Sequence, residues 1–193
     1  LSTFPQEYPS FPESLIRELK EASGRDVIGN RAASGTVIIQ ELGAEQIESG
    51  ALICYTSADS VLQIAAHEAV IPLEELYEIC EKARRISDRY QIGRVIARPF
   101  IGTSEDGFVR TKNRRDYSIA LPGPTYLEKE LPGLGLRVIG VGKIGDIFNE
   151  KGIAISYHDK GNEACLNRTI ALARDAAAGQ NDFVFVNLVD TDM

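Results

Sequence analysis

The sequence is short of several features that would each point to a class of protein. It holds three cysteines, Cys54, Cys80 and Cys165, odd in number, widely spaced and set in apolar segments. Thiols of this kind suit a reduced, buried state and exclude a disulfide framework or a cysteine-built zinc site. Histidine is scarcer still: His67 and His158 stand far apart without partners at triad or metal spacing, so both read as structural or surface residues. No serine or cysteine nucleophile with a paired base is visible. Positive charge is in deficit, with 21 Lys and Arg against 28 Asp and Glu, a net charge of -7. With no basic run longer than a pair, the chain lacks the footprint that a phosphate backbone or an anionic membrane surface requires; neither nucleic acid nor membrane is an expected partner. No stretch of about 18 apolar residues is present to span a bilayer. Residues 1–13 are neither basic nor followed by an apolar signal core. A cytoplasmic location is the expectation. The chain opens on Leu1 rather than Met and closes on Met193 directly after Asp190-Thr191-Asp192, ends that read as cuts in a longer protein.

What is present suits a folded core. Of 193 residues, 44% are apolar and 25% charged, ordinary globular values. Ser10-Phe11-Pro12-Glu13 has the spacing of a capping box with Ser10 as N-cap. Leu15, Ile16, Leu19 and Ala22 then recur at helical spacing up to Gly24, which predicts an amphipathic helix over about 12–23. Residues 26–29 read as a short strand, 30–35 as a polar loop, and a helical pattern comes next that ends at Gly43. Residues 51–56 form a near-continuous apolar run, hence a buried strand, whose end delivers Ser57, Asp59 and Ser60 into a strand-to-helix turn. Pro72 opens a long helix with Leu73, Leu76, Cys80 and Ala83 on one face. Residues 93–100 read as a strand that Pro99 closes and that projects Arg94 and Arg98, with a polar stretch to Arg115 after it. The cluster Leu121-Pro122-Gly123-Pro124 is the strongest boundary signal. Beyond it a helix from Pro124, a strand over 136–141, a helix over about 163–178 and a strand over 183–189 alternate as parallel βαβ units do. The expected fold class is α/β.

Several groups could carry chemistry. Gly140-Val141-Gly142-Lys143-Ile144-Gly145 has the dinucleotide spacing after a strand, but the segment beyond it is short and broken by Gly152, and no acidic residue ends a clear second strand about twenty residues on to hold a ribose. Lys143 itself, at the carboxyl end of a parallel strand, suits a phosphate, or is a solvated loop lysine. Ser57, Asp59 and Ser60 can bond sugar hydroxyls or cap the next helix. Arg94 and Arg98 can fork onto a phosphate or pair with the surplus of acids. Asp190 and Asp192 at a strand's carboxyl edge are placed to hold a divalent cation, although two carboxylates complete no metal shell.

Several strings point the same way. Asn30 to Thr36 (NRAASGT), Tyr55 to Glu68 (YTSADSVLQIAAHE), Gly93 to Gly102 (GRVIARPFIG), Asn113 to Tyr117 (NRRDY), Gly142-Lys143-Ile144 and Asn187 to Asp192 (NLVDTD) together resemble the bacterial phosphopentomutases, in that order and over nearly the whole chain. The resemblance implies an enzyme of the alkaline-phosphatase superfamily that interconverts ribose or deoxyribose 1-phosphate and 5-phosphate. It implies two manganese ions, a phosphorylated threonine nucleophile, and glucose 1,6-bisphosphate or a similar bisphosphate as activator. On that map residues 1–121 form a mixed α/β cap and residues 122–193 the βαβ units of an incomplete alkaline-phosphatase-like core. Carried over residue by residue, sugar-phosphate contacts fall on Ser57, Val61, Arg94, Ile96 and Lys143, with Asp59 a second-tier hydroxyl contact and Asp192 a metal ligand. Arg94 and Lys143 are expected to grip one anion. The threonine and the remaining metal ligands have no counterpart in these residues, so the chain alone is expected to be inactive. A small-molecule sugar phosphate is the expected partner, and open edges of an unfinished parallel sheet make self-association an expectation. Two other readings stay open: a sugar-phosphate binding module without catalysis, and a metal-dependent phosphoglycerate mutase or phosphatase of the same superfamily.

Overall fold

The computed structural model describes residues 1–193 apart from 6, 58, 121–122, 177–181, 189 and 191–193. The chain divides into two compact units, Leu1–Ile119 and Ala120–Met193.

The first unit runs α1 (Glu13–Ser23), β1 (Val27–Ala32), α2 (Gly35–Ser49), β2 (Leu52–Thr56), β3 (Val61–His67), α3 (Leu73–Asp88), β4 (Arg94–Thr103), β5 (Gly107–Arg110) and β6 (Arg115–Ser118). Its strands form one mixed sheet in the order β1-β2-β3-β4-β5, with β6 also paired to β4. β1 and β2 run parallel, as do β3 and β4, while β2 and β3 are antiparallel. Side chains alternate across the strands. Leu52, Cys54, Leu62, Ile64, Val95 and Ala97 pack one face onto Leu15 and Leu19 of α1 and Leu76, Ile79 and Cys80 of α3. Ile53, Tyr55, Ala65, Phe100 and Phe108 pack the other onto Ile38 and Ile39 of α2. The sheet is thus the middle of three layers, and each fully buried Leu or Ile contributes about 1.5–3 kcal/mol of transfer free energy.

Local expectations fail where tertiary contacts decide. The capping box at Ser10 does not form: Pro12 is the N-cap and no side chain caps α1. The Ser10 N–H donates to Asn30 O at 2.9 Å and the Phe11 N–H to Asn30 Oδ1 at 2.7 Å, which ties this segment to β1 instead. α2 does not stop at Gly43 but continues to Gly50, whose φ of 67° ends it. Gly43 lies inside the helix and marks a close approach rather than an end: a Cβ there would meet the Phe108 ring at 2.5 Å. Residues 30–32, expected in a loop, belong to β1. The segment after Ser57 enters β3, not a helix, since Val61, Leu62 and Ile64 fill both faces of a central strand. Pro99 does not close its strand either. β6 pairs with residues 94–97 of β4 and β5 with 100–103, so the proline without an N–H falls where one neighbour hands over to the other.

The second unit runs α4 (Tyr126–Gly133), β7 (Arg137–Val141), α5 (Ile144–Phe148), β8 (Ile155–Tyr157), α6 (Asn162–Ala176) and β9 (Asp182–Val186). Its sheet is parallel throughout in the order β8-β7-β9; the sequence predicts α4, β7, α6 and β9, while α5 and β8 are further elements between β7 and α6. At the start of α4 the Glu128 carboxylate accepts the Thr125 N–H at 2.8 Å. Arg137 on β7 grips Asp182 on β9 with both nitrogens, at 2.8 and 2.9 Å. The chain as a whole is α/β. Among the described residues no helix is long and apolar enough to cross a membrane.

Candidate functional site

Strand register assembles the candidate residues of the first unit. Val61 pairs with Arg94, Gln63 with Ile96 and Ala65 with Arg98 across β3 and β4; Tyr55 pairs with Gln63, and Asp116 with Ile96. Paired residues project to the same side, so all of these lie on the face where α2 packs. Four polar contacts shape the loop between β2 and β3. Thr56 Oγ1 donates to Val61 O at 2.8 Å and the Val61 N–H to Asp59 O at 2.9 Å. Ser60 Oγ accepts the Gly93 N–H at 3.0 Å and Ser60 O the Arg94 N–H at 3.1 Å, which sets the start of β4 beside the Ser57 loop. Ser60 is therefore a brace rather than a helix cap.

Arg94 is only loosely paired on this face. Its guanidinium lies 3.9 Å from Asp59 and 3.7 Å from Asp116, beyond hydrogen-bond length, and its side chain is 43% exposed. Asp116 gives both oxygens to Arg114, each at 2.6 Å. Arg94 thus keeps free donors of the planar, forked kind that match a phosphate. Arg98, its neighbour at a spacing of four, donates from Nε to Gln63 Oε1 at 2.9 Å. Burial, and next the charge of Arg114, lower its pKa from the usual guanidinium range. Val61 and Ile96 are 2% and 3% exposed, which makes them floor rather than grip. Ser57 is half-buried and Asp59 exposed. Arg114 and Asp116 stand inside the NRRDY string, but only the pairing of β6 with β4 gives them a role.

In the second unit Lys143 follows β7 through Gly142, whose φ is 77° and whose Cβ, if present, would meet Asn187 O at 2.7 Å. Only glycine allows that approach. The glycine pattern opens the five-residue α5 and no longer helix, so it does not build a dinucleotide site. Exposed Lys143 lines a cleft of about 280 Å³ with Asp146, His158, Asp159, Lys160 and Asp190. His158 is not without partners: its ring and the carboxylates of Asp146 and Glu150 bring one ligand atom each within 4.8 Å of one another. The spacing hides this because Asn149 and Glu150 turn the chain back at φ 52° and 58°. Asp190 accepts the Asn162 N–H at 2.7 Å while Asn162 Oδ1 accepts the Asp190 N–H at 3.0 Å, so this carboxylate tethers the start of α6. Asp192 lies outside the described residues. Arg94 belongs to the first unit and Lys143 to the second.

No family model matches the chain. Curated relatives named phosphopentomutase match it over almost all of its length. That of Methylobacterium nodulans is 50% identical over 190 residues, 98% of this chain and 46% of the relative. That of Levilactobacillus brevis is 50% identical over 194 residues, covering 100% and 47% respectively. The chain is a homologue of the phosphopentomutases. The relative from Caldanaerobacter subterraneus subsp. tengcongensis reaches 53% identity over 191 residues, 98% of this chain and 47% of its own. The chain spans about half the length of the phosphopentomutases it matches, and the match runs through both compact units.

Proposed function

We propose that the protein carrying this chain is a phosphopentomutase, an isomerase that interconverts ribose or deoxyribose 1-phosphate and 5-phosphate. The supporting observation is identity of about half the residues over 98% of the chain to proteins of that name. On this reading residues 1–121 are a cap and 122–193 part of an alkaline-phosphatase-like core. Arg94 forks onto the substrate phosphate, Ser57 bonds the sugar with Asp59 behind it, Val61 and Ile96 floor the site, and Lys143 contributes from the core. These residues bind and orient; the phosphothreonine that carries the transferred group lies elsewhere in the protein, which leaves the chain alone inactive.

Manganese belongs to this reading as the ion that neutralises charge on the transferring phosphoryl group. The described residues do not hold a pair of such ions by themselves. Asp146, Glu150 and His158 offer oxygen and nitrogen donors of suitable chemistry but are all exposed, and Asp190 accepts the Asn162 N–H through one carboxylate oxygen. Asp192 is the ligand this chain would add. A bisphosphate activator would enter the same site as the substrate.

The test uses the complete protein. Arg94→Ala is expected to raise KM and lower kcat/KM for ribose 5-phosphate about tenfold or more, because a charged, forked contact is lost. An unchanged kcat/KM removes Arg94 from the site.

A further inference from the structure

The amino terminus of α2 carries an arrangement that the proposed reaction does not use. α2 begins at Gly35 without a cap: the Ser34 hydroxyl lies 2.9 Å from Thr36 Oγ1 and bonds no α2 amide, and the first turn has no acidic residue. Among the described residues the N–H groups of Gly35, Thr36 and Val37 have no acceptor. Ser34, Thr36 and Val37 are exposed, so this positive helix end is open to a ligand.

A second observation is independent of the helix end. Tyr55 is 0% exposed, and its hydroxyl is buried without a hydrogen-bond partner. That oxygen points at Gly35: a Cβ built there would meet Tyr55 Oη at 2.5 Å and Arg110 Nη1 at 3.0 Å. The glycine of the NRAASGT string thus lets a phenol and a guanidinium converge on the first residue of α2. Arg110 has no carboxylate within ion-pair distance among the described residues, and the charges of Arg98 and Arg114 also bear on the Tyr55 hydroxyl. Buried hydroxyls are nearly always bonded, and helix termini rich in unpaired donors are ready anion sites.

We propose that this turn is a phosphate subsite in which the free amides of α2, the Tyr55 hydroxyl and the Arg110 guanidinium close on one phosphate group. Arg110 is exposed and its Nη1 lies beside the Tyr55 hydroxyl against Gly35, so a shift of this side chain is the route by which a ligand would reach the hydroxyl. The subsite is built from residues other than Arg94, although both lie on the α2 face of the sheet, and it does not depend on the phosphopentomutase reading. Two sources share the chemistry: free inorganic phosphate, and a phosphate end of a sugar phosphate or bisphosphate.

The experiment titrates the complete protein that carries this chain, bearing Arg94→Ala to remove the competing cation, with inorganic phosphate at constant ionic strength and follows backbone amide shifts. Saturable shifts at Thr36 and Val37 are expected. Tyr55→Phe should weaken them about fivefold, the loss of one neutral hydrogen bond. Arg110→Gln should weaken them about tenfold, the loss of a charged one. Tyr55→Phe keeps the ring and removes only a hydroxyl that is unpaired without ligand, so its folding is not in question. Titration with ribose 5-phosphate and with a hexose 1,6-bisphosphate then assigns the source. Tighter binding than inorganic phosphate identifies a sugar phosphate, and equal binding identifies the free ion. Absence of shifts at residues 35–37, or shifts that both substitutions leave unchanged, overturns the subsite.

Discussion

Two neighbouring hydroxyls divide the work of the β2–β3 loop. Thr56 is fully buried and its hydroxyl holds Val61 O at 2.8 Å, whereas the Ser57 hydroxyl has no partner among the described residues. Thr56→Val keeps the shape and strands a buried carbonyl, so it should cost about 1–2 kcal/mol, read as a lowered urea midpoint. Ser57→Ala should leave that midpoint within about 0.5 kcal/mol. In the complete protein it should weaken sugar-phosphate binding. An equal loss of stability in both variants would make Ser57 structural. The sequence makes part of this visible. Arg94 and Arg98 sit at an even spacing, which puts both on one face of a strand. It does not show that Asp116 is already occupied by Arg114, because that depends on which strands pair, nor that the Tyr55 hydroxyl is orphaned, because a tyrosine in an apolar run reads simply as core.

At the scale of the element, two helical glycines make opposite forecasts. Replacing a helix-interior glycine by alanine ordinarily stabilises by about 0.5–1 kcal/mol. Gly133, at the end of α4, has nothing within 4 Å of a built Cβ, so Gly133→Ala should raise the melting temperature of its unit slightly. Gly43 in α2 faces the Phe108 ring at 2.5 Å, and overpacking of that kind costs about 1–3 kcal/mol. Gly43→Ala should therefore lower the melting temperature despite its better propensity, and a rise would mean that β5 yields easily. The same position explains why the sequence alone predicts too short an α2: a glycine inside a helix carries the signature of a helix end, and only its tertiary neighbour separates the two. Helices with a clean apolar stripe, α1 and α3, are legible because their period alone fixes them. β5 and β6 are not, since four-residue strands with arginines at their ends carry no pattern of their own until β4 supplies a partner.

Across the whole molecule, the first unit gathers the groups that must stay neutral. Cys54 and Cys80 are fully buried free thiols, and burial raises both pKa values far above the usual thiol range. Burial, then the neighbouring Cys80, pushes Tyr117 up to about 12. Each of these acids ionises in the unfolded chain first, near pH 8.5 for a thiol and about 10 for a tyrosine. The native state binds more protons than the unfolded one above those values, so stability is fully present below pH ~8.5 and declines as pH rises, the contribution of Tyr117 being lost up to about pH 12. The urea midpoint measured from pH 7 to 11 should accordingly fall above pH ~8.5, and Tyr117→Phe should flatten the decline above pH ~10 without changing it below. A thiol reagent should leave Cys54 and Cys80 unlabelled until urea unfolds the unit. Labelling in the folded protein, or a midpoint that stays level through this range, would mean that the layer of α1 and α3 does not seal the sheet it covers.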